Sequence, residues 1–249
     1  AAVGIHEVWA ATANYKFGTP GLWGYDRFRT DTTWAEQLAA TAKVLRKLEP
    51  VLAEHGSHLN IETHEEITTF EVVRLVEEAG PHAFGITFDT ANVLCRTEDP
   101  VAAARRVAPY ARQSHVRDAA LFFTDDGVSR FLAPCGQGVI AWPRLLAALL
   151  ERAPRMTLSI EGIMGKRWQM PIPLLAPEWD AAHRDLTLAE MAEIHRLTHG
   201  YTERVRTGDA PDADHYRREA TTAERLAFIT SSVAFLREAL AGLAAPAPG

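Results

Sequence analysis

The stretch LNIETHEE, residues 59–66, decides the fold. A short apolar run, Leu59 and Ile61, stops in Glu62, His64, Glu65 and Glu66 with no turn residue between. A buried strand that ends in acids and an imidazole is explained once the same event is seen to recur downstream.

Working outward, each such strand is preceded by a helical pattern. In residues 34–48 the apolar positions Trp34, Leu38, Ala42, Leu45 and Leu48 recur at helical spacing, and Thr33 with Glu36 forms a capping-box signature. Pro50 is expected to break this helix or to start a second short turn, and Gly56 to close it. Thr68 and Glu71 open a second helix, followed by the apolar strand AFGITFD ending in Asp89. Asp99-Pro100 caps a third, followed by QSHVRD with His115. Trp142-Pro143 opens a fourth, followed by MTLSIEG with Glu161. Between His115 and Glu161 an insertion carries LFFT and VSRFL around Asp-Asp-Gly, the pattern of a β-hairpin. No further strand is expected after Glu161, only a Pro- and Trp-rich loop and two long helices, the first capped by Thr187 and Glu190.

Helices alternating with apolar strands at this pitch mean parallel strands joined by helical crossovers, an α/β fold. In such folds the carboxyl ends of the strands share one face, where sites assemble. Glu62, Asp89, His115 and Glu161 occupy the same topological position on four successive strands. Three carboxylates on one small face repel one another unless a cation sits among them. Two Glu, one Asp and one His make an oxygen-rich set with a single imidazole, suited to Mn2+ first, with Mg2+, Co2+ or Zn2+ as alternatives.

The bulk numbers agree. The 249 residues carry a net charge of −6, which argues against a nucleic-acid backbone binder and suits an enzyme of small molecules. Two cysteines, Cys95 and Cys135, imply no disulfide framework and point to a reducing, cytoplasmic setting. No unbroken run of 18 apolar residues occurs, so no membrane span is expected. The chain opens AAVGIHEVWA, without methionine or a signal-peptide pattern, and reads as starting inside a domain.

The segments IETH, FDTAN, SHVRD, CGQG and SIEG together resemble the xylose-isomerase-like TIM-barrel superfamily, which includes sugar phosphate isomerases/epimerases, ketose 3-epimerases and the AP endonuclease family 2. The resemblance covers residues 1–165 and implies a (β/α)8 TIM barrel whose last five βα units lie there. The first three units, roughly 80 residues, are then expected to precede this sequence. Residues 166–249 are expected to be a long loop and a C-terminal helical extension packed on the barrel. The resemblance also implies Glu62, Asp89, His115 and Glu161 as ligands of one divalent metal, with Glu62 and Glu161 doubling as the acid/base pair. It further implies an isomerase or epimerase working through proton abstraction beside a carbonyl and a metal-stabilised enediolate. The alternatives are a lyase at the same centre, by β-elimination from a C-glycoside or by dehydration, and a non-catalytic sugar-binding or partner subunit. Gly136 and Gly138 match the family's G-x-G stretch. Asn92 stands where a histidine is frequent and Ala141 where an acid is common, and no further His/Asp set for a trinuclear zinc site is found.

Residues expected around the substrate are His64, Asn92, Arg117, Asp118 and Trp168, each with a plainer reading as a turn, salt-bridge or packing residue. Trp179 is equally suited to stacking on a sugar or to pinning its loop. His6 and Trp9 are placed near the mouth of the first strand, with Glu7 on the opposite face. The partner expected is a small carbohydrate or glycoside, with no nucleic acid and no membrane, and with self-association or a hetero-subunit role left open.

Overall fold

Helix starts in this chain are set by reciprocal side-chain bonds. Thr33 Oγ1 accepts from Glu36 N at 3.2 Å while Glu36 accepts from Thr33 N at 2.8 Å. Thr68 and Glu71 repeat the device. The computed structural model describes residues 4–12, 32–165 and 169–244. Strand β1 (Glu7–Ala10) leads to α1 (Trp34–Glu54), β2 (His58–Glu62), α2 (Thr69–Ala79) and β3 (Phe84–Asp89). A 3-10 turn (Val93–Arg96), α3 (Pro100–Val107), β4 (Ala111–Val116), β5 (Asp118–Thr124), β6 (Gly127–Ala133), α4 (Trp142–Leu150) and β7 (Ser159–Ile160) follow. The chain closes with β8 (Met170–Ile172), α5 (Pro177–Ala182), α6 (Leu188–Thr207), α7 (Ala213–Arg217) and α8 (Thr222–Ala244).

Strands β1, β2, β3, β4 and β7 form one parallel sheet in that order. Helices α1 to α4 are its crossovers and pack side by side, and α8 continues their row by packing on α4 and β7. The core lies between sheet and helices, around Ile61, Phe84, Ile86, Phe88, Val116, Leu145 and Trp142. The hairpin read from sequence forms, with Thr124 facing Gly127.

Five expectations need correction. Pro50 lies inside α1, which runs on to Glu54, because a missing N–H this near the end removes one ladder bond only. A strand does exist after Glu161: β8 pairs with β6 to give a three-stranded antiparallel sheet, its Pro171 having masked the signal. SHVRD is not one strand, since β4 ends at Val116 and Asp118 begins the hairpin. Glu7 lies on the face of Trp9 and Glu62, not the opposite one, because Glu7 and Trp9 pair with His58 and Asn60 in register. Finally, Thr222–Leu243 is long and apolar enough to cross a membrane, with a mean hydropathy of 1.4, which a search for unbroken apolar runs passes over. In the fold Phe228, Ser232 and Leu236 on that helix are buried.

Helix α6 is tied to the sheet's helices by a buried ion cluster. Arg106, stacked on Phe70, donates to Glu98 at 3.0 Å and to Glu190 at 2.9 Å, and Glu98 also accepts from the Thr69 backbone. One cation against two carboxylates leaves an excess negative charge. Burial pushes Glu98 up to about 7, against the pull of the Thr69 bonds and Arg106. An acid raised above its ordinary 4.5 holds a proton in the folded chain that the unfolded chain has released. Stability contributed here is therefore present at low pH and lost as pH rises toward 7, by about 3 kcal/mol at most. Relative to Glu98→Gln, the unaltered chain should lose stability between pH 5 and pH 8 in urea titrations, and parallel pH curves would refute this.

Candidate metal centre

Three neighbouring strand pairs of the parallel sheet, β2–β3, β3–β4 and β4–β7, are bridged by a side-chain hydroxyl. Thr63 Oγ1, just past Glu62, donates to Asp89 O at 3.2 Å and accepts from Asp89 N at 2.8 Å. Thr90 Oγ1, just past Asp89, donates to Arg117 O at 2.6 Å and accepts from Arg117 N at 3.1 Å. Ser114 does the same for the last strand, bonding Thr157 O and Ser159 N. The strand ends are thereby locked against one another by bonds no helix could supply.

Register then sets which side chains meet. Glu62 pairs with Thr87, two residues before Asp89; Asp89 pairs with His115; His115 pairs with Ser159, two residues before Glu161. Even offsets keep all four on one face, since side chains alternate with period two. Four potential ligand atoms, one from each residue, lie within 4.8 Å of one another. Between β3 and β4 the pairing slips at Ile86/Thr87, from Ile86 opposite Ala111 to Thr87 opposite Gln113, so Arg112 is bulged. Had the pairing run on from Ile86 and Ala111 without that slip, Asp89 would face Ser114, and His115 would point away.

Glu62 and Asp89 are buried, and Glu161 is about a third exposed. His115 Nδ1 lies 3.0 Å from Glu62 Oε1 and 3.9 Å from Glu161 Oε2. Burial alone would lower the imidazole pKa, but the bond to Glu62 and the charges of Glu62, Asp89 and Glu161 hold it above its usual value. Burial pushes Glu161 up to about 6, with Arg117 opposing and the charges of Asp89 and Glu62 assisting. Asp89 Oδ1 is taken by the backbone of Ala91 and Asn92 at 2.9 and 3.0 Å. Its Oδ2 and Glu161 Oε2 are buried without a hydrogen bond, though the Arg117 guanidinium stands 2.6 and 2.8 Å away as an ion pair. Two carboxylate oxygens met only by one ion-paired guanidinium, a third acid and an imidazole are a donor set that a hard divalent cation fits.

Of the residues expected around substrate, three sit beside the cluster. Arg117 bridges Asp89 and Glu161, and its Nη2 donates to Asn92 Oδ1 at 3.2 Å. His64 Nδ1 pairs with buried Glu66, which accepts from Thr12 at 2.8 Å. The imidazole stands at the rim, 24% exposed. Asp118 is spent elsewhere: its two oxygens accept from Ala119 N, Gly136 N, Ile140 N and Trp142 Nε1. It is the anchor of the G-x-G loop, and a Cβ at Gly138 would overlap Asp118 and Ala119 O. Trp168 lies outside the described residues. Trp179 is buried, stacked on His183 at 4.0 Å and beneath Arg96, so it pins its loop. Trp9 meets His115 edge-on at 5.0 Å, while His6, of opposite parity, is exposed. Sequence reasoning missed Arg130, fully buried on β6 behind Asn92, whose only signal was a lone arginine in an apolar strand.

Residues 2–178 match the family model described as a xylose isomerase-like TIM barrel. The chain belongs to that family. Among the proteins similar to this xylose isomerase-like chain is the uncharacterized protein YihM of Escherichia coli (strain K12), 27% identical over 135 residues, 54% of this chain and 41% of that protein. A xylose isomerase domain protein from Planctomyces limnophilus is 20% identical, with a TM-score of 0.47 over 82% of this chain and 61% of that one. A D-psicose 3-epimerase from Clostridium cellulolyticum H10, solved with D-tagatose, is 14% identical, with a TM-score of 0.47 over 83% and 65%. This chain thus spans about two fifths of its curated relative and about three fifths of the structures.

The bulge gives a direct test. Deleting Arg112 closes the bulge and leaves Gln113 opposite Thr87 and His115 opposite Asp89, so the sheet should stay intact by circular dichroism and Mn2+ affinity in calorimetric titration should stay within about threefold of the unaltered chain. Arg112→Ala, which keeps the chain length, should also bind like the unaltered chain. A tenfold loss in the deletion alone would show that the bulge itself, and not the pairing of Asp89 with His115, sets the ligand geometry.

Proposed function

We propose that the chain carries the site of a divalent-metal-dependent isomerase or epimerase acting on a small keto sugar or polyol derivative. The observation that carries this reading is the grouping of Glu62, Asp89, His115 and Glu161 within 4.8 Å, on a family fold that includes such enzymes. Glu62, Asp89, His115 and Glu161 would hold the cation, Mn2+ being our first assignment. A cation bound there supplies Lewis-acid polarisation to a carbonyl and the hydroxyl beside it.

The remaining chemistry belongs to the side chains. Glu62 and Glu161 stand on the first and last of the four strands, so they approach a bound sugar from different sides. One takes the proton from the carbon beside the carbonyl and the other returns a proton to the opposite face. Arg117 holds Asp89 and Glu161 in place, and His64, oriented by Glu66, faces a substrate at the rim. Asn92 lies one layer deeper.

Elemental mass spectrometry and Mn2+ titration on the full chain should find one ion per chain, weakened at least a hundredfold by Glu161→Gln and by His115→Ala. Because protons and a cation exclude each other at both His115 and Glu161, affinity should fall as pH drops through neutrality and further below about 6. Incubation of keto sugars in D2O should then give exchange at the carbon beside the carbonyl without release of a leaving group. Release of one would turn the assignment to a lyase, and no metal bound by the unaltered chain would overturn the enzyme reading.

A further inference from the structure

Behind the cluster lies a second layer whose parts are aimed at one amide. Arg130 on β6 is fully buried, and its guanidinium is held through Nε and Nη2, while Nη1 makes no hydrogen bond. Nε and Nη2 donate to Cys95 Sγ at 3.1 and 2.9 Å, and Nη2 also pairs with Glu65 and donates to Asn92 Oδ1 at 3.3 Å. From the other side Arg117 Nη2 donates to the same Asn92 oxygen at 3.2 Å. Two like charges therefore share one carbonyl oxygen, an arrangement that holds only while that oxygen faces both. The amide orientation is fixed by this demand, since the flipped form would set its NH2 against two donors.

Arg117 is the delicate member. Its guanidinium stands 2.6 Å from Asp89 Oδ2 and 2.8 Å from Glu161 Oε2, the same two oxygens left without a hydrogen bond in the candidate metal centre. A guanidinium and a divalent cation compete for such oxygens. The bond to Asn92 is made by Nη2, the nitrogen that also faces Asp89 Oδ2, so it restrains the guanidinium at that end, and Asn92 is held in turn by Arg130.

Resting on the metal-binding reading above, we propose that Arg130 is a positioning residue for the metal centre. It touches none of the four cluster residues and acts through Asn92, keeping Arg117 where it shares Asp89 and Glu161 with a cation instead of displacing it. The hairpin insertion thereby tunes the affinity of a site built by other strands.

The readout is the Mn2+ dissociation constant by calorimetry on the full chain, with thermal unfolding followed beside it. Asn92→Ala should weaken Mn2+ roughly tenfold, and Arg130→Lys, which keeps the charge but not the fork, should do the same. The double variant should bind no worse than Asn92→Ala alone, because both act on one restraint. Should Arg130→Lys fold poorly, Arg130→Met/Glu65→Gln removes the buried ion pair as a unit and should show the same tenfold loss. Unchanged Mn2+ affinity in Asn92→Ala, or losses that add in the double variant, would overturn the proposal. A mere structural role would lower the melting temperature without this non-additivity. Failure of the unaltered chain to bind Mn2+ would instead overturn the reading on which the proposal rests, and that result is seen without any variant.

Discussion

Parity along parallel strands is the constraint on which the site depends. A side chain changes face with every residue, so four ligand-type groups from four strands converge only if every inter-strand offset is even. Three pairings in this sheet would not achieve that unaided. The single bulged residue at Arg112 converts an odd step into an even one and turns His115 toward Asp89 and Glu62. The hydroxyl bridges of Thr63, Thr90 and Ser114 then hold those registers at the strand ends, where ladders ordinarily fray.

Much of this was legible from the chain. The alternation of helix and apolar strand, the capping boxes at Thr33 and Thr68, and the hairpin around Asp-Asp-Gly all depend on local chemistry, and local chemistry is what a sequence displays directly. The three acids and the histidine at strand ends were legible for the same reason, as a repeated topological position. What escaped depended on contacts between distant segments. Strand β8 exists because β6 offers it an edge, which three residues containing Pro171 do not announce. Arg130 looks like a surface arginine until Glu65, Cys95 and Asn92 surround it. Asp118, three residues past the motif histidine, looks like a site residue, yet four internal donors claim its carboxylate.

Asp118 nevertheless serves the centre at one remove. By accepting from Gly136, Ile140 and Trp142 it fixes the loop that leads into α4, and α4 returns the chain to β7 and Glu161. Helix α8 closes the same loop from outside, with Ser232 accepting from Cys135 N and Phe235 against Gly136. The last ligand thus owes its place to a carboxylate more than forty residues upstream, though Glu161 itself is only partly buried.

A cluster of this kind works against folding. Each acid loses hydration on burial, and each lies within reach of two others; at Glu161 burial and the charges of Asp89 and Glu62 raise the carboxyl against the pull of Arg117. A scaffold free to relax would simply spread the three carboxylates apart. This one is not free: hydroxyls tie the strand ends, backbone amides claim one oxygen of Asp89, and Arg117 spans Asp89 and Glu161. Held in that way, the repulsion that destabilises the folded chain would, on the metal-binding proposal, become affinity for a cation, because binding would relieve it. Rigidity behind the acids and charge among them are therefore two halves of one device, and neither has a use without the other.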